Sequence, residues 1–226
     1  MRVVALSGRP QVLAKLRGKE MHDLIRLAQV SFARLKMVLW YARFLGSAGR
    51  GSWIMRPGQL YGLRNVHLGE AVRIEPGAIL YSVRGFGPKT YNGSIHVGDR
   101  SFLNQRCNLT AAAAIRIGCD VAFGPNVMVS DFDHDYREPG VNRVNTALVI
   151  KGPVSIGDRC WIGANVCIGS GVELGADCVV GANSVVTRSF PAGTVLAGAP
   201  AVAIRRRDAE SGQWLPVAAE AGGGSS

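Results

Sequence analysis

The stretch from Ile156 to Pro191 reads IGDRCW, IGANVC, IGSGVE, LGADCV, VGANSV and VTRSFP, which are six units of six residues. The first position of each unit is aliphatic, and the second is glycine in the first five units. A period of six fits neither an amphipathic helix nor an alternating strand. It fits short strands joined by turns, with three units completing one coil. The residues then stacked are Ile156 with Leu174, Ile162 with Val180, and Ile168 with Val186. The stretch therefore predicts a mainly β fold, a hexapeptide solenoid.

The same period extends towards the N-terminus with three interruptions. Its first positions are Leu68, Ile74, Leu80, Val97, Leu103, Leu109, Ile117, Phe123 and Val129. The phase is lost before Val97, before Ile117 and before Ile156. We expect the extra residues to leave one corner of the solenoid as loops, and long loops on a rigid scaffold often carry function.

Glycine, aspartate and asparagine suit corners that need unusual backbone angles. Within the repeats we expect such corners at Gly157, Asp158, Asn165, Asp177 and Asn183.

The chain divides into three parts on composition. Residues 1–52 are predicted to form a basic amphipathic helical arm, residues 53–207 the solenoid, and residues 208–226 a flexible tail. Apolar residues recur at intervals of three and four between residues 11 and 45, which favours helix. Residues 10–50 hold eight Lys or Arg against two acidic residues, a local charge of 8 − 2 = +6. Two interpretations stay open: the arm packs over the first coil or against other copies, or it lies on an anionic membrane surface.

Charge and cysteine content limit the partners and the compartment. The net charge of +10 suits an anionic partner, such as a phosphorylated co-substrate. We expect no nucleic-acid partner, because no recognition motif or basic aromatic platform is present. Five cysteines without a CxxC pair indicate free thiols in a reducing compartment, so we expect a cytoplasmic protein.

His134 is the strongest catalytic candidate of the four histidines. It lies in VSDFDHDYREPG, where the six-residue phase breaks, among the carboxylates of Asp131, Asp133 and Asp135. A neighbouring carboxylate can hold an imidazole in one tautomer and raise its basicity. A solvated loop histidine is the alternative.

Several motifs resemble the left-handed β-helix acyltransferases, in the branch of galactoside, maltose, nodulation-factor and polysaccharide O-acetyltransferases. They are the hexapeptides, the loop VSDFDHDY (129–136), the block IGDRCWIGANVCIGSGVELG (156–175) and the closing GANSVVTRSFPAGTVLAGAPAVAIR (181–205). The resemblance spans about residues 68–206. It implies a left-handed parallel β-helix, a homotrimer with the active site between neighbours, acetyl-CoA as co-substrate, a sugar or glycan acceptor, and no metal.

The resemblance also implies roles for individual residues. His134 stands where the family has its general base, and Asn104 matches an asparagine that holds the acceptor hydroxyl. We assign Asp131 and Asp133 to the substrate side. Trp161 matches the tryptophan that lines the acyl-CoA tunnel, and the Ala164 N–H would face the thioester oxygen. The remaining CoA contacts map onto Ala182, Thr187, Arg188 and Arg205.

We therefore expect an O-acetyltransferase that acts on a bacterial polysaccharide or lipid-linked glycan. An N-acetyltransferase acting on an amino sugar and a non-catalytic hexapeptide scaffold are the alternatives. A zinc enzyme on the same solenoid, of the γ-carbonic anhydrase type, would need three histidine ligands. His134 has no other histidine within thirty residues, so we expect no metal site.

Overall fold

A computed structural model describes residues 20–137 and 139–217 of the chain. Its short strands wind through three sheets, and one coil contributes one strand to each sheet. The first sheet contains β1 (Ser47–Ala48), β4 (Val66–Leu68), β9 (Ser94–Val97), β12 (Ala114–Ile117), β17 (Val154–Ile156) and β20 (Glu173–Leu174). The second contains β2 (Trp53–Ile54), β5 (Arg73–Ile74), β10 (Phe102–Leu103), β13 (Ala122–Phe123), β18 (Trp161–Ile162), β21 (Val179–Val180), β23 (Thr194–Gly198), β24 (Ala201–Arg207) and β25 (Trp214–Pro216). The third contains β3 (Gln59–Tyr61), β6 (Ile79–Ser82), β11 (Asn108–Ala111), β14 (Met128–Ser130), β19 (Cys167–Ile168) and β22 (Val185–Val186).

The register between coils is the one predicted from the repeat. Ile156 pairs with Leu174, Ile162 with Val180, and Ile168 with Val186, all in parallel. The earlier coils continue the same three columns, for example from Leu109 to Val129. The first-position side chains are buried and form one continuous core. The mainly β solenoid is therefore confirmed.

The corners differ from the prediction in one respect. The left-handed residue is the fourth of each of the first five units, and these residues are Arg159, Asn165, Gly171, Asp177 and Asn183, with φ between 58° and 78°. Gly157 and Asp158 do not adopt positive φ. Gly157 is required for another reason, because a Cβ there would lie 2.5 Å from the backbone nitrogen of Ala176 in the next coil. Fourth-position side chains also link coils, since Arg159 donates two hydrogen bonds to Asp177 at 2.8 and 2.9 Å.

The three interruptions all leave the corner between the third and first sheets. The first holds a hairpin of β7 (Gly85–Phe86) and β8 (Lys89–Thr90). The second is the short link between β11 and β12. The third, between β14 and β17, holds β15 (Asp133–His134) and β16 (Leu148–Val149), which pair antiparallel. As predicted, the extra residues emerge from one corner.

The described residues of the N-terminal part form a long helix, α1 (Met21–Leu39), within the segment predicted to be helical. Met37 and Leu45 are buried in the solenoid core, so the helix and the turn after it pack on the first coil. The first coil begins at Ser47, earlier than the predicted start at residue 53, because Ser47 and Ala48 pair with β4. Residues 1–19 of the predicted arm lie outside the described residues.

The C-terminal residues correct the prediction of a flexible tail from residue 208. β25 (Trp214–Pro216) pairs antiparallel with β24, where Arg206 lies opposite Leu215. The free edge of β24 provides the hydrogen-bonding partner, which composition alone does not reveal. Residues 218–226 lie outside the described residues.

Candidate active site

His134 lies on β15, at the start of the longest interruption, and its side chain is exposed. Its ring packs against Phe86 of the hairpin, with centroids 4.9 Å apart and planes tilted by 58°. Phe132 approaches from a second side at 6.3 Å, nearly perpendicular. The hairpin and the loop thus meet at the imidazole.

A second contact fixes the hairpin to the loop. The Leu148 N–H donates to the Tyr91 hydroxyl at 2.7 Å. Leu148 is buried with Val83 and Ala112, and Tyr91 and Phe86 pack against this cluster. β16, the strand that pairs with His134, is therefore held in place by Tyr91, which directly follows the hairpin.

The three carboxylates predicted to act on His134 are engaged elsewhere. Asp131 is fully buried, and it accepts hydrogen bonds from the backbone N–H groups of Ala112 at 2.7 Å and Ala113 at 2.8 Å. Burial raises the pKa of the Asp131 carboxyl, while these amides act in the opposite direction. The buried carboxylate ties two interruptions together and does not face a substrate. This corrects the assignment of Asp131 to substrate binding.

The other two carboxylates face basic partners. Asp133 is exposed and lies 3.9 Å from the Lys151 ammonium. Asp135 accepts from the Arg137 guanidinium at 2.6 and 2.8 Å, and these bonds hold the pKa of its carboxyl well below the usual range. Within residues 20–137 and 139–217, neither ring nitrogen of His134 has a hydrogen-bond partner. Among the residues that the structure describes, no carboxylate orients His134 as the sequence suggested.

Asn104 lies at another corner, directly after β10, and is half-buried. Its side-chain oxygen accepts from the backbone N–H of Gln105 at 2.7 Å. Since β10 ends at the corner between the second and third sheets, Asn104 is not on the corner that carries His134.

The alanines predicted to face CoA lie at the corner between the second and third sheets, and Trp161 lies on the strand of the second sheet that leads into this corner. Trp161 is on β18 and leaves 60% of its surface exposed. Ala164 and Ala182 follow β18 and β21 and stack one coil apart, joined by a 2.8 Å bond from Asn183 N to the Ala164 carbonyl. Among the described residues, the Ala164 N–H donates to no acceptor.

Thr187, Arg188 and Arg205 lie near the C-terminal end of the solenoid, and all three are exposed. The Arg188 guanidinium lies over the Phe190 ring at 5.3 Å. Arg205 is on β24 opposite Val195. The Arg188 and Arg205 guanidinium groups therefore lie at the C-terminal end of the solenoid, close in sequence to Ala182.

A single chain thus separates the predicted site into two groups. His134 lies at the corner after the third sheet. Trp161 lies on the second sheet, and Asn104, Ala164 and Ala182 lie at the corner between the second and third sheets. Two residues that position His134, Phe86 and Tyr91, were not predicted from the sequence. Their only signal was that they occupy the first interruption of the repeat.

The described residues hold no cluster of three or more His, Cys, Asp or Glu side chains able to bind a metal ion. No helix within them has the length and hydropathy needed to cross a membrane.

Comparison with known proteins places these features in a family. Residues 153–188 match the family model described as the hexapeptide repeat of succinyl-transferase. Galactoside O-acetyltransferase of Escherichia coli is 32% identical over 120 residues, which are 51% of this chain and 56% of that protein. A maltose O-acetyltransferase from Clostridium difficile is 30% identical, over 67% of this chain and 70% of that chain, with a TM-score of 0.48. The chain belongs to the hexapeptide-repeat acyltransferases.

A structural comparison agrees with the family fold. The hexapeptide-repeat acetyltransferase from Vibrio cholerae, solved with acetyl coenzyme A, has a TM-score of 0.54 and 23% identity, covering 84% of this chain and 91% of that one. The chain spans little more than half the length of the curated relatives that it matches first, 56% in each case.

Proposed function

We propose that the chain is an O-acetyltransferase that moves an acetyl group from acetyl-CoA to a hydroxyl of a sugar, in a bacterial polysaccharide or a lipid-linked glycan. The observation that carries the proposal is the exposed imidazole of His134, held between two aromatic rings with both nitrogens unpaired among the described residues. A relative named galactoside O-acetyltransferase supports the sugar hydroxyl as acceptor. We also propose that the coils wind in the left-handed sense of the family.

His134 acts as the general base. A sugar hydroxyl is a weak nucleophile near neutral pH, so a ring nitrogen takes its proton as the oxygen attacks the thioester carbonyl. The C–O bond forms and the C–S bond breaks, and the protonated imidazole returns the proton to the departing sulfur. No residue of the chain needs to form a covalent intermediate, because both substrates can bind in one cleft.

The residues around Trp161 fit an acyl-CoA. Acetyl-CoA, when bound, supplies the activated acyl group. The Ala164 N–H is available to stabilise the charge that develops on the carbonyl oxygen, which a fixed backbone donor does well. The exposed indole of Trp161 and the exposed cations of Arg188 and Arg205 suit a pantetheine arm and phosphates.

The separation of the two groups supports a homotrimer with shared sites. His134 of one copy and Trp161 of a neighbour would then line the same cleft, because adjacent corners of two prisms can meet where corners of one prism cannot. The test mixes His134→Ala chains with Trp161→Ala chains after unfolding and refolding. About one quarter of the sites should receive both intact residues by random assembly of a cyclic trimer. No recovery above either variant alone would exclude sharing.

The proposed activity is tested by thiol release from acetyl-CoA in the presence of sugar acceptors. His134→Ala should lower kcat about 10²- to 10⁴-fold, the usual contribution of a general base. His96→Ala is the matched control, since His96 is also an exposed histidine but lies on β9 of the solenoid. If His134→Ala turns over at a near-normal rate, the assignment fails. Mass spectrometry of products from matched hydroxyl and amino sugars distinguishes O- from N-transfer.

We further propose that the chain works on the cytoplasmic side of the inner membrane, with peripheral contact through residues 11–45. Its five cysteines are free thiols, as in a reducing compartment.

A further inference from the structure

Helix α1 carries two apolar faces, and the solenoid covers one of them. Ala33 and Met37 are each 3% exposed, and Ala33 packs with Trp53 and Met55 of the first coil. An ordinary surface helix would show a polar face opposite this contact.

The second face of α1 is apolar and uncovered by the described residues. We call it the outer stripe, and its large members are Met21, Leu24, Ile25, Phe32, Leu35 and Leu39, with exposures from 40 to 77%. Their spacing of three, four and seven residues places them along one line of the helix. Soluble monomers seldom leave so continuous an apolar surface free, so the outer stripe requires a partner.

The helix is fixed to the solenoid, so the outer stripe has a defined direction. Arg26 forms an ion pair with Glu75, whose side chain is only 6% exposed. The same guanidinium donates to the Met55 sulfur at 3.2 Å and lies 5.8 Å from the Trp53 ring centroid. A charge buried to this degree strongly resists separation from its partner. The inner face therefore stays in contact while the outer stripe points away from the solenoid.

The C-terminal end of the outer stripe has the chemistry of a bilayer interface. Phe32, Leu35, Leu39 and Trp40 line a concavity of about 430 Å³ with Lys36 at its edge. The Lys36 ammonium lies 4.8 Å from the Phe32 ring centroid, so it can keep its charge in water beside an inserted ring. Trp40 is 64% exposed, and tryptophan is favoured at the level of lipid headgroups.

Charge decides between a membrane and a second copy of the chain. Apart from Arg26, which pairs with Glu75, residues 20–50 hold four Lys or Arg against two acidic residues, 4 − 2 = +2, and the whole chain carries +10. Two such surfaces repel each other, whereas an anionic bilayer attracts basic side chains by about 1 kcal/mol each. We propose that the outer stripe of α1 docks the chain on an anionic lipid bilayer, with the side chains of Phe32 and Leu35 inserted among the acyl chains. The proposal deepens the membrane contact suggested above by naming its face, and it does not depend on acyl transfer.

The test is flotation of the full chain with two kinds of vesicle, one of phosphatidylcholine alone and one that also contains about 30 mol% phosphatidylglycerol. The anionic lipid gives the second kind a negative surface potential, which attracts basic side chains. The double variant Phe32→Ser/Leu35→Ser should bind the anionic vesicles at least about tenfold more weakly, because tenfold corresponds to only 1.4 kcal/mol. The control is Val202→Ser/Ile204→Ser on β24, which removes two apolar side chains of 48% and 45% exposure away from the helix. It should bind like the unaltered chain.

Two outcomes overturn the proposal. One is equal flotation of the double variant and the unaltered chain, or no flotation of either. The other is a fall in oligomer mass of the double variant in sedimentation, which would make the outer stripe an interface between copies. Circular dichroism of both variants excludes unfolding as the cause. Since no acceptor or acetyl-CoA is used, failure here leaves the proposed acyl transfer untouched.

Discussion

Phe86→Ala should slow turnover without weakening the binding of acetyl-CoA. Within the described residues, the His134 ring is oriented by Phe86 at 4.9 Å and Phe132 at 6.3 Å, and by no hydrogen bond. Deleting the nearer ring frees the imidazole to sample other rotamers, and ordering such a side chain again costs about 0.5–1.5 kcal/mol. At 1.4 kcal/mol per tenfold, kcat should fall roughly two- to tenfold. The KM for acetyl-CoA should stay constant, because Phe86 lies at the other corner from Trp161.

Steady-state kinetics and a spectroscopic measurement check this together. Phe86→Tyr should restore kcat, because it restores the aromatic face, and Lys89→Ala should have no effect, because Lys89 pairs with Phe86 in the hairpin but is exposed. In ¹³C-histidine spectra the His134 ring protons should move when the Phe86 ring current is lost and return in Phe86→Tyr. The reasoning is refuted if the resonances move while kcat does not, or if the KM for acetyl-CoA rises in parallel with the loss of kcat.

Three further predictions concern stability and metal. Gly157→Ala should destabilise the fold by about 1–3 kcal/mol in urea unfolding, the usual cost of overpacking, because the new Cβ would lie 2.5 Å from the Ala176 nitrogen. Gly169→Ala, at the same position of a later unit, should cost far less, since its Cβ would meet its nearest neighbour at 3.6 Å. Arg159→Gln should lower the free energy of unfolding only slightly at neutral pH. Because Arg159 depresses the pKa of the Asp177 carboxyl, the difference in stability between the two proteins is fully present above the ordinary carboxyl pKa of about 3.9. It disappears as the pH falls through the lower pKa that Asp177 has in the folded protein. Activity should be unchanged after dialysis against EDTA, and a loss that zinc restores would contradict the metal-free mechanism.

The fold could be predicted because its signal is local and repeated. Each of the five units from Ile156 to Val185 places an aliphatic residue at position one and a small or β-branched residue at position five, so the register of Ile162 on Val180 follows from counting. The repeat could not predict where the solenoid begins or that residues near the C-terminus form a strand. Ser47 and Trp214 lie in irregular sequence, and they join strands only because an unpaired sheet edge is available beside them.

The site was predicted less completely, since its contacts connect residues far apart in the chain. The loop sequence suggested that an aspartate would orient His134, because Asp131, Asp133 and Asp135 are neighbours in sequence. The segment is not one continuous strand, since Asp131 follows the end of β14 and turns inward to the backbone of Ala112. Asp133 lies on β15 near Lys151, and Asp135 pairs with Arg137. The nearer of the two aromatic rings beside the imidazole, Phe86, lies far earlier in the chain, in a hairpin whose sequence carries no catalytic motif.

The position of the interruptions explains how a repetitive fold can hold a specific site. A parallel solenoid brings equivalent corners of successive coils into one column, so insertions in three different coils at one corner become neighbours. Here the hairpin of Phe86, the link at Ala112 and the strand of His134 meet in this way, and the buried carboxylate of Asp131 joins the last two. Changes in the length or sequence of these insertions can reshape the acceptor side while the core columns stay intact. The proposed CoA-binding side has no such freedom, because Ala164 and Ala182 belong to the repeat itself, where a larger unit would disturb the spacing between coils. We therefore expect acceptor specificity to reside at the corner that carries His134, and the binding of the acyl donor to be a property of the repeat.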